Sequence, residues 1–349
     1  MLSTYKKDDV TILLKDITGA VVPLPTEERE RFIQSGVHYS EMLPLEYEPS
    51  EEYMKIYNKA LTQNSKFTAL AAANTAAQIV NEKGDNAVLV SLARAGTPIG
   101  VLIKRYIKKN FGFDAAHYTI SIIRGRGIDK NAMKFILERH SPQSVQFIDG
   151  WTGKGAIRRE LAKAMEDFPE VSDGLAVLSD PAGIAEKCGT REDFLIASSC
   201  LNATVCGLLS RTFYRKDVIG EHDFHGAIFY SGLKDKDRTY QFIDTVESCF
   251  EPNMHCLEHN GAERNGRNEV GEIAAGFGIS DINLIKPGIG ETTRVLLRRV
   301  PWKILVYSLK DTENLGHIFQ LANEKGVEVV EYPLKHYRAC GLIKCLADN

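Results

Sequence analysis

The segment 145–155, with the sequence VQFIDGWTGKG, constrains the fold of this chain more than any other. Three of its first four residues are apolar and lead to a single carboxylate, Asp149. A glycine-rich turn with Thr152 and Lys154 follows, and residues 156–163 have a helical pattern. A buried strand that continues into such a turn at a helix N-terminus offers free backbone N–H groups to a phosphate. Since the carboxylate can accept hydrogen bonds from sugar hydroxyls or hold a cation, the segment predicts a site for a phosphorylated sugar.

Two common nucleotide-binding motifs do not fit this segment. A Walker loop needs a hydroxyl residue directly after its lysine to bind magnesium, and here Gly155 follows Lys154. A dinucleotide fingerprint needs G-x-G-x-x-G, which residues 153–158 do not complete. The segment therefore indicates either a sugar-phosphate site or a tight strand-to-helix turn without a ligand.

A second segment of the same kind precedes the first. Residues 87–92 form a continuous apolar run, as in a parallel strand that helices cover on both faces. The loop that follows consists of Arg94, Ala95, Gly96 and Thr97. Such residues also occur in ordinary strand-to-helix turns, but two such loops in one chain favour an anion site.

Between these segments, residues 118–123 form a β-branched run with strand character, and the cationic loop RGRGIDK follows. Its alternating arginines and glycines predict a mobile loop. Arg124 and Arg126 would bring positive charge to a bound ligand when the loop closes and excludes water. A solvated surface turn is the alternative interpretation.

The order of strands and helices predicts the fold class. Apolar strand patterns alternate with helical patterns from residue 87 to about residue 215, and strand 175–179 ends at Asp180. This alternation is typical of an α/β protein with a mostly parallel sheet and helices on both faces. The candidate loops all follow the carboxyl ends of strands, where ligands of such sheets bind. Earlier in the chain, helices are predicted at 26–34 and 51–83.

Composition excludes several classes of protein. The chain has 349 residues and a net charge of −3, which argues against binding nucleic acid over the whole surface. No apolar run approaches the roughly 20 residues that cross a bilayer, and the first residues lack the apolar core of a signal peptide. Seven cysteines without framework spacing suit a reducing compartment. We expect a cytoplasmic protein without a membrane partner, and a homodimer is left open.

A thiol protease is a rival interpretation. Cys200 or Cys206 could supply the nucleophile, with His225 as the base and a carboxylate to orient it. Both cysteines lie in the small, apolar run 196–212, which has a helix-like pattern, and a neutral buried thiol is the common outcome there. Asp180 and His225 are also candidate contacts for a second substrate.

The polar stretch 261–269 is typical of a linker and precedes a small C-terminal α/β unit. Strands are predicted at 304–307 and 327–332, and helices at 292–299 and 314–325. The unit begins with KPGIGETTR, which again presents glycine amides and cations at the start of a helix. A solvated basic helix face is the alternative to a phosphate-binding role.

The first two loops resemble the signature of the type I phosphoribosyltransferases, which bind phosphoribosyl pyrophosphate with Mg2+. The resemblance implies that the loop amides grip the 5′-phosphate and that the earlier loop binds pyrophosphate. It makes Asp149 the catalytic and metal-binding carboxylate, with Arg124 and Arg126 as catalytic cations. The implied substrate-binding residues are Arg94, Ala95, Gly96, Thr97, Asp149, Gly150, Trp151, Thr152, Gly153, Lys154, Gly155 and Asp180. Gly150 departs from the family pattern, where a second acid is usual, and so does Ala156, where a hydroxyl residue is common.

The C-terminal unit resembles the Pelota-type RNA-binding domain, in which a Gly-x-Asn-Glu-x-x-Lys segment grips RNA. Here Gly290 replaces the asparagine and Arg294 replaces the lysine. The residues that the resemblance assigns to RNA are Lys286, Gly288, Gly290, Thr293, Arg294 and Arg298. The two changes keep phosphate contacts available but weaken sequence-specific readout.

The order of parts resembles one bacterial family, the phosphoribosyltransferase-like proteins of tellurite-resistance and stress clusters, also labelled cysteine protease StiP. The resemblance implies an N-terminal extension packed on the core (1–50), a phosphoribosyltransferase-like domain (51–256), a linker (257–270) and a Pelota-type domain (271–349). We expect an enzyme that transfers ribosyl phosphate to a base-like acceptor in a stress response. A non-catalytic RNA-binding or regulatory protein, for which Gly150 argues, and the thiol protease are the alternatives.

Overall fold

The computed structural model describes residues 1–46, 48–256 and 266–345, apart from the side chain of Arg267. The described helices are α1 (Thr26–Gln34), α2 (Glu51–Lys83), α3 (Gly96–Phe111), α4 (Lys130–Leu137), α5 (Ala156–Met165), α6 (Thr239–Glu247), α7 (Gly266–Gly276), α8 (Ile289–Arg298) and α9 (Thr312–Glu324). The described strands are β1 (Thr11–Ile12), β2 (Lys15–Asp16), β3 (Val88–Ala93), β4 (Ala116–Ile123), β5 (Gly127–Ile128), β6 (Val145–Ile148), β7 (Leu175–Ser179), β8 (Lys187–Thr190), β9 (Gly226–Ala227), β10 (Ile285–Pro287), β11 (Pro301–Val306), β12 (Glu328–Glu331) and β13 (Ala339–Ile343).

The central sheet is parallel in the order β1–β4–β3–β6–β7–β8, and β5 forms an antiparallel hairpin with β4. Successive side chains of a strand point to opposite faces. Along β3, Leu89 packs with α2 and α3, whereas Val88 and Val90 pack with α4 and α5. Helices therefore cover both faces of the sheet, which confirms the predicted α/β class and explains why its central strands are apolar throughout.

Helix α2 spans the residues predicted for it, and its alanine-rich middle lies unusually close to β8. A Cβ atom on Gly189 would come within 2.3 Å of the Ala71 carbonyl oxygen. Asn74 donates a hydrogen bond to the Gly189 carbonyl at 3.1 Å, and the Thr75 hydroxyl donates to the Val177 carbonyl at 3.0 Å. Small residues on both elements thus set the distance at which the helix packs on the sheet.

The first 50 residues contribute to the sheets rather than lying wholly outside them. Strand β1 pairs in parallel with β4 at the edge of the central sheet, and β2 pairs with β9 in a separate two-stranded sheet. The helix α1 has the bounds that its sequence pattern predicts. It places one buried arginine, Arg29, at the wall of the cavity described below.

The C-terminal unit has a four-stranded sheet in the order β10–β13–β11–β12. Its strand β13 runs antiparallel to both neighbours, and β11 and β12 are parallel. The apolar side chains of α8 and α9 belong to the same core cluster as those of α2 and α3. The C-terminal unit therefore packs on the first unit through a shared apolar core, which brings the start of α8 to the carboxyl edge of the central sheet.

Two structural predictions are wrong. The run 196–212 contains short 3-10 turns at Ala197–Cys200 and Ala203–Val205 instead of a helix, because the backbone is extended at Leu201 and non-helical at Asn202 between them. Helix α7 begins at residue 266, inside the stretch interpreted as a linker, and residues 257–265 lie outside the described residues. No helix of the described chain has the length and apolar character needed to span a membrane.

Candidate functional site

A cavity of about 700 Å3 lies at the carboxyl edge of the central sheet, bounded on its other side by the C-terminal unit. Among the described residues, ten cationic side chains and four carboxylates line it. The cations are Arg29, Arg94, Arg124, Lys154, Arg158, Arg211, Lys286, Arg294, Arg298 and Arg299, and the carboxylates are Glu30, Asp149, Asp281 and Glu291. This excess of positive charge in a concave site favours an anionic ligand.

The loop between β6 and α5 (residues 149–155), which we call the phosphate loop because its sequence predicts a phosphate ligand, presents unpaired backbone donors to the cavity. Residues 153–157 all line the cavity, and their amide N–H groups donate to no acceptor within the part of the chain that the structure describes. Gly155, directly before α5, has a φ of +79°, a left-handed conformation that favours glycine. The amides of Asp149 and Thr152 are occupied by the carbonyls of Ala176 and Ser179 at 3.0 and 2.9 Å, which fixes the start of the loop.

Asp149 lies half-buried at the tip of β6 and lines the cavity. Burial raises the pKa of its carboxyl to about 6, although a hydrogen bond from the Gly150 amide at 2.8 Å and the charge of Arg294 oppose the rise. The described residues contain no group of three or more His, Cys, Asp or Glu that could hold a metal ion. Mg2+ commonly binds proteins through one carboxylate together with the phosphates of its substrate. Asp149 therefore fits Mg2+ only when a phosphorylated ligand supplies the remaining oxygens.

The loop after β3 lies directly beside the loop of Asp149, and its first two residues, Arg94 and Ala95, line the cavity. The Arg94 Nη1 donates to the Leu209 carbonyl at 2.8 Å and lies 3.5 Å from a Glu46 carboxylate oxygen. Its Nη2 is buried and has no hydrogen-bond partner. The contacts of Nη1 thus hold Arg94 in place, and Nη2 keeps its hydrogen-bond donors for a ligand.

Gly96 and Thr97, which the resemblance assigns to the ligand, lie behind the cavity wall. A Cβ atom on Gly96 would come within 2.5 Å of the Ile148 carbonyl oxygen, so this glycine allows the two loops to meet. The Thr97 hydroxyl is buried and forms a 2.7 Å hydrogen bond with the hydroxyl of Thr119. These two residues shape the site without lining it.

Asp180 also lies outside the cavity lining. Its carboxylate is fully buried, accepts a hydrogen bond from the Thr152 hydroxyl at 2.5 Å, and forms an ion pair with Arg191. The amides of Ile184 and Ala185 donate to it at 3.1 and 3.0 Å. The structure therefore corrects the prediction that Asp180 binds substrate: its oxygens hold its own turn and the phosphate loop.

The cationic loop after β4 forms a hairpin in this structure, and its mobility stays a prediction. Residues 127–128 pair with the end of β4, and the amides of Gly125 and Gly127 both donate to the Glu160 carboxylate at 2.7 Å. Because Glu160 belongs to α5, the hairpin is tied to the same helix that begins at the phosphate loop.

The two arginines of this hairpin have different surroundings. Arg124 lines the cavity and donates to the Asn283 side-chain oxygen at 3.1 Å. Arg126 does not line the cavity: it forms an ion pair with Glu41 and donates to the Tyr214 carbonyl at 3.1 Å. The structure places only Arg124 where it can contact a ligand.

The start of α8 packs against the loop of the central sheet. A Cβ atom on Gly290 would come within 2.4 Å of the Trp151 ring, and the Arg294 guanidinium lies 4.4 Å from the centre of that ring. Both carboxylate oxygens of Asp193 accept hydrogen bonds from the Ile289 amide, at 3.1 and 3.2 Å. Glycine at position 290 therefore allows the start of α8 to pack against the site. The Asp193 carboxylate of the first unit holds it there.

Three further hydrogen bonds join the phosphate loop to the C-terminal unit. The Lys154 ammonium donates to the carbonyls of Ile282 and Ile285, the second at 3.2 Å, and burial lowers its pKa to about 8. The Tyr337 hydroxyl donates to the Gly153 carbonyl at 3.2 Å. Lys154 thus lines the cavity and also holds the two units together.

The residues assigned to RNA all lie at this interface or in the cavity. Lys286, Arg294 and Arg298 line the cavity, and burial lowers the pKa of Lys286 to about 7. The other three, Gly288, Gly290 and Thr293, are buried. These residues face the cavity or pack against the first unit, so RNA contact through this face stays a prediction.

Sequence patterns gave no indication that α1 contributes to the site. Arg29 lines the cavity with its side chain almost fully buried, and its neighbour Glu30 forms a two-pronged ion pair with Arg299 at 2.6 and 2.8 Å. Arg211 lies with its guanidinium 4.3 Å from the centre of the Tyr39 ring. The local sequence shows only ordinary charged residues here, because contacts between distant segments create the site.

The structure does not assemble the cysteine residues into a nucleophilic site. Cys200 and Cys206 are buried, and burial raises the pKa of their thiols to about 12 and about 11. His225 lies 2.8 Å from the Ser121 hydroxyl and its amide donates to the Asp129 carboxylate. Within the described chain, no hydrogen bond joins this histidine to either thiol, so the raised thiol pKa values are not offset by a base beside them.

The fold is that of an α/β protein with a cation-lined cavity and a second, smaller α/β unit, and comparison with known proteins identifies both parts. Residues 3–247 match the family described as tellurite-like stress resistance cysteine protease StiP, and residues 264–345 match the Pelota RNA-binding domain. The chain therefore belongs to the StiP family. It is 36% identical to the protein named Cysteine protease StiP from Acinetobacter baylyi, over 99% of this chain and 95% of that protein.

Part of the chain is similar to solved hypoxanthine phosphoribosyltransferases. The match to the hypoxanthine-guanine enzyme of Bacillus anthracis has 17% identity and a TM-score of 0.24, and covers 41% of this chain and 74% of that one. The match to the Trypanosoma cruzi enzyme has 17% identity and the same TM-score, and covers 41% and 69%. Similarity at this level leaves the activity of this chain undetermined.

Proposed function

We propose that the chain is a phosphoribosyltransferase that binds phosphoribosyl pyrophosphate and transfers its ribosyl phosphate to a base-like acceptor in the cytoplasm. The observation that supports the proposal is the set of five unpaired amides at residues 153–157, which line a cavity rich in lysine and arginine beside a single acid, Asp149. A helix N-terminus with free N–H groups suits a phosphate, and a carboxylate at its base suits ribose hydroxyls.

In this proposal the 5′-phosphate accepts hydrogen bonds from the loop amides, and the pyrophosphate lies against Arg94, Ala95 and Arg124. The bond between C1′ and the pyrophosphate oxygen breaks, and its electron pair leaves with pyrophosphate. A nitrogen of the acceptor forms the new bond to C1′ and releases its proton. The chain contributes by positioning the two reactants and by neutralising the negative charge that develops on the leaving group.

Asp149 would hold Mg2+ together with oxygens of the phosphorylated donor. When bound, the ion supplies positive charge that neutralises the pyrophosphate. The position of Gly150, where the resembled enzymes usually have a second acid, leaves Asp149 as the sole carboxylate at this point of the loop. Burial raises its pKa to about 6, so its ionised fraction, and with it its hold on a cation, falls as the pH drops below neutrality.

The name of the Acinetobacter baylyi relative makes a cysteine protease the second candidate. Cys345 is the cavity-lining cysteine of the described chain, and it is exposed. No histidine of the described residues lines the cavity beside it. Since a thiol protease needs an imidazole within reach of its thiol, the geometry favours the transferase.

Isothermal titration of the full chain with phosphoribosyl pyrophosphate and magnesium tests the proposal, with Gly155→Ala and Gly112→Ala as a matched pair. Both glycines have a φ of +79°, but Gly112 ends α3 away from the cavity. An alanine in this conformation costs about 1–2 kcal/mol at either position. We expect Gly155→Ala to weaken binding at least about tenfold, because it moves the loop amides, and Gly112→Ala to change it less than about twofold.

An unaltered dissociation constant for Gly155→Ala, or no heat from the unmodified chain at millimolar donor, would overturn the proposed donor site. Equal weakening by both variants would show that general stability, and not the loop, controls binding.

A further inference from the structure

A group of arginines lines the cavity in addition to the phosphate loop and comes from three distant parts of the chain. Arg29 belongs to α1, Arg211 to the segment before β9, and Arg298 to the end of α8. Burial lowers the pKa of Arg211 to about 9 and that of Arg29 to about 10, and the positive charge of Arg29 adds to the effect on Arg211. Arg298 is similarly affected by burial and by the positive charges of Arg294, Arg94 and Arg211. Arg211 therefore lies close enough to Arg29 and to Arg298 for their positive charges to repel.

The nearby carboxylates are committed to other cations. Glu30 forms its two-pronged ion pair with Arg299, and Glu46 lies beside Arg94. Among the described residues, none forms an ion pair with Arg29, Arg211 or Arg298. The Nε atom of Arg29, whose side chain is almost fully buried, has no hydrogen-bond partner. Since a buried cation without a partner is unfavourable, this part of the cavity is built for an anion.

The charge of the proposed donor does not satisfy the whole cavity. The phosphate and pyrophosphate groups of phosphoribosyl pyrophosphate with one magnesium ion carry a net charge of roughly −3. Ten cations and four carboxylates line the cavity among the described residues. Arg94 and Arg158 already have carboxylate partners outside the lining. Arg29, Arg211 and Arg298 have none among the described residues, so they are the cations available to a second anion.

We propose that Arg29, Arg211 and Arg298 form a second anion subsite that binds an acidic group of the acceptor, so that ribosyl phosphate is transferred to a ring compound bearing a carboxylate or phosphate. The proposal rests on the proposed function for the identity of the donor. Guanidinium groups bind carboxylates and phosphates through paired hydrogen bonds, which suits both acids. The Tyr39 ring, 4.3 Å from the Arg211 guanidinium, provides an aromatic surface beside the subsite.

The test uses isothermal titration of the full chain with pyridine-2,3-dicarboxylate and with the neutral diamide of the same ring. Each titration is performed with and without saturating ribose 5-phosphate and magnesium. The variants are Arg211→Gln, Arg29→Gln and the conservative Arg211→Lys, and Arg139→Gln is the control, because Arg139 lies outside the cavity. Inorganic pyrophosphate and phosphoribosyl pyrophosphate are titrated into the same proteins. Thermal melting confirms that each variant is folded.

We expect the dicarboxylate to bind at least about tenfold more tightly than the diamide. Arg211→Gln and Arg29→Gln each weaken the dicarboxylate about tenfold or more and the two pyrophosphate compounds less than about threefold. Arg211→Lys retains most of the binding and Arg139→Gln retains all of it.

Equal binding of acid and diamide, or no binding of either at millimolar concentration, overturns the subsite. Equal weakening of pyrophosphate and dicarboxylate also overturns it, since the arginines would then serve the donor. If the dicarboxylate binds as expected while phosphoribosyl pyrophosphate gives no heat, the subsite stands and the proposed donor alone is wrong.

Discussion

Two strand-to-helix turns face the same cavity, one from each structural unit. They have similar glycine- and cation-rich sequences but differ in whether their backbone amides are free. The turn between β6 and α5 offers unpaired amides at residues 153–157. The turn between β10 and α8 resembles a segment that grips RNA, yet its amide at Ile289 is occupied by Asp193 and its glycine at position 290 lies against Trp151. The first turn is open to a ligand, whereas the second is closed by the first unit and contributes only its side chains.

The comparison shows that a glycine- and cation-rich helix start indicates anion chemistry without indicating the partner. In the first turn, no described residue accepts a hydrogen bond from the amides of residues 153–157. In the second turn, residues of the same kind face the first unit, and Arg294 and Arg298 add positive charge to the cavity between the units. The missing side chain at position 290 explains the difference, because an asparagine there would collide with the Trp151 ring.

The largest expected effect comes from Gly290→Ala. The added Cβ atom would come within 2.4 Å of Trp151, so either α8 or the phosphate loop must move. Overpacking of this kind costs about 1–3 kcal/mol, and we expect a lower melting temperature and a loss of donor binding of about a hundredfold. Gly316→Ala is the control, because a Cβ atom on this α9 glycine meets nothing within 4 Å.

The control variant should be neutral or more stable by up to about 1 kcal/mol, as expected for alanine within a helix. If Gly290→Ala melts and binds donor as the unmodified chain does, the two turns are not coupled and the C-terminal unit does not complete the site.

The fold and the first turn could be predicted from the sequence because their signals are local. The apolar run of β6, Asp149 and the glycine-rich turn are adjacent in the chain, and so are the strand and loop of β3. Strand β8, with the sequence KCGT, escaped prediction because it has no apolar run, and it packs through Gly189 on the alanines of α2. Its strand character depends on a helix more than 100 residues away.

The rest of the site could not be predicted because local chemistry does not show which way a side chain faces. Asp180 and Asp149 both follow an apolar strand, but the amides of residues 184–185 occupy Asp180, while Asp149 faces the cavity. Arg29 appears in the sequence as one charge among several in a short helix. Arg29 lies at the site because its neighbour Glu30 forms an ion pair with Arg299, a residue of the C-terminal unit.

A smaller effect concerns the pH dependence of stability and involves two buried acids. Asp149 lies in the first turn, and Asp193 accepts a hydrogen bond from the second turn. Burial raises the pKa of both Asp149 and Asp193 to about 6. A carboxyl whose pKa is higher in the folded chain contributes stability at low pH that is lost as the pH rises through about 6. Asp149→Asn and Asp193→Asn should each make the melting temperature less dependent on pH between 4 and 7.

Donor binding separates the two acids. Asp149 must be ionised to hold magnesium, so binding should strengthen from pH 5 to pH 7.5 in the unmodified chain and in Asp193→Asn. We expect Asp149→Asn to reduce this strengthening to the part that ionisation of the donor phosphates contributes, and to weaken binding at pH 7.5 about tenfold. Titration at the two pH values, with and without magnesium, provides the measurement, and an undiminished pH-dependent gain in Asp149→Asn would contradict the assignment.

The smallest expected effect concerns RNA, and it tests whether the second turn is closed in solution. Because Arg294 and Arg298 line the internal cavity, Arg298→Gln should change the binding of a structured RNA by less than about twofold, as should the exposed control Lys310→Gln. Filter binding at two salt concentrations measures this, since removal of a true phosphate contact lowers both the affinity and its salt dependence. If Arg298→Gln alone weakens RNA binding, α8 must leave the phosphate loop when RNA binds. The two turns would then serve different ligands in different arrangements of the chain.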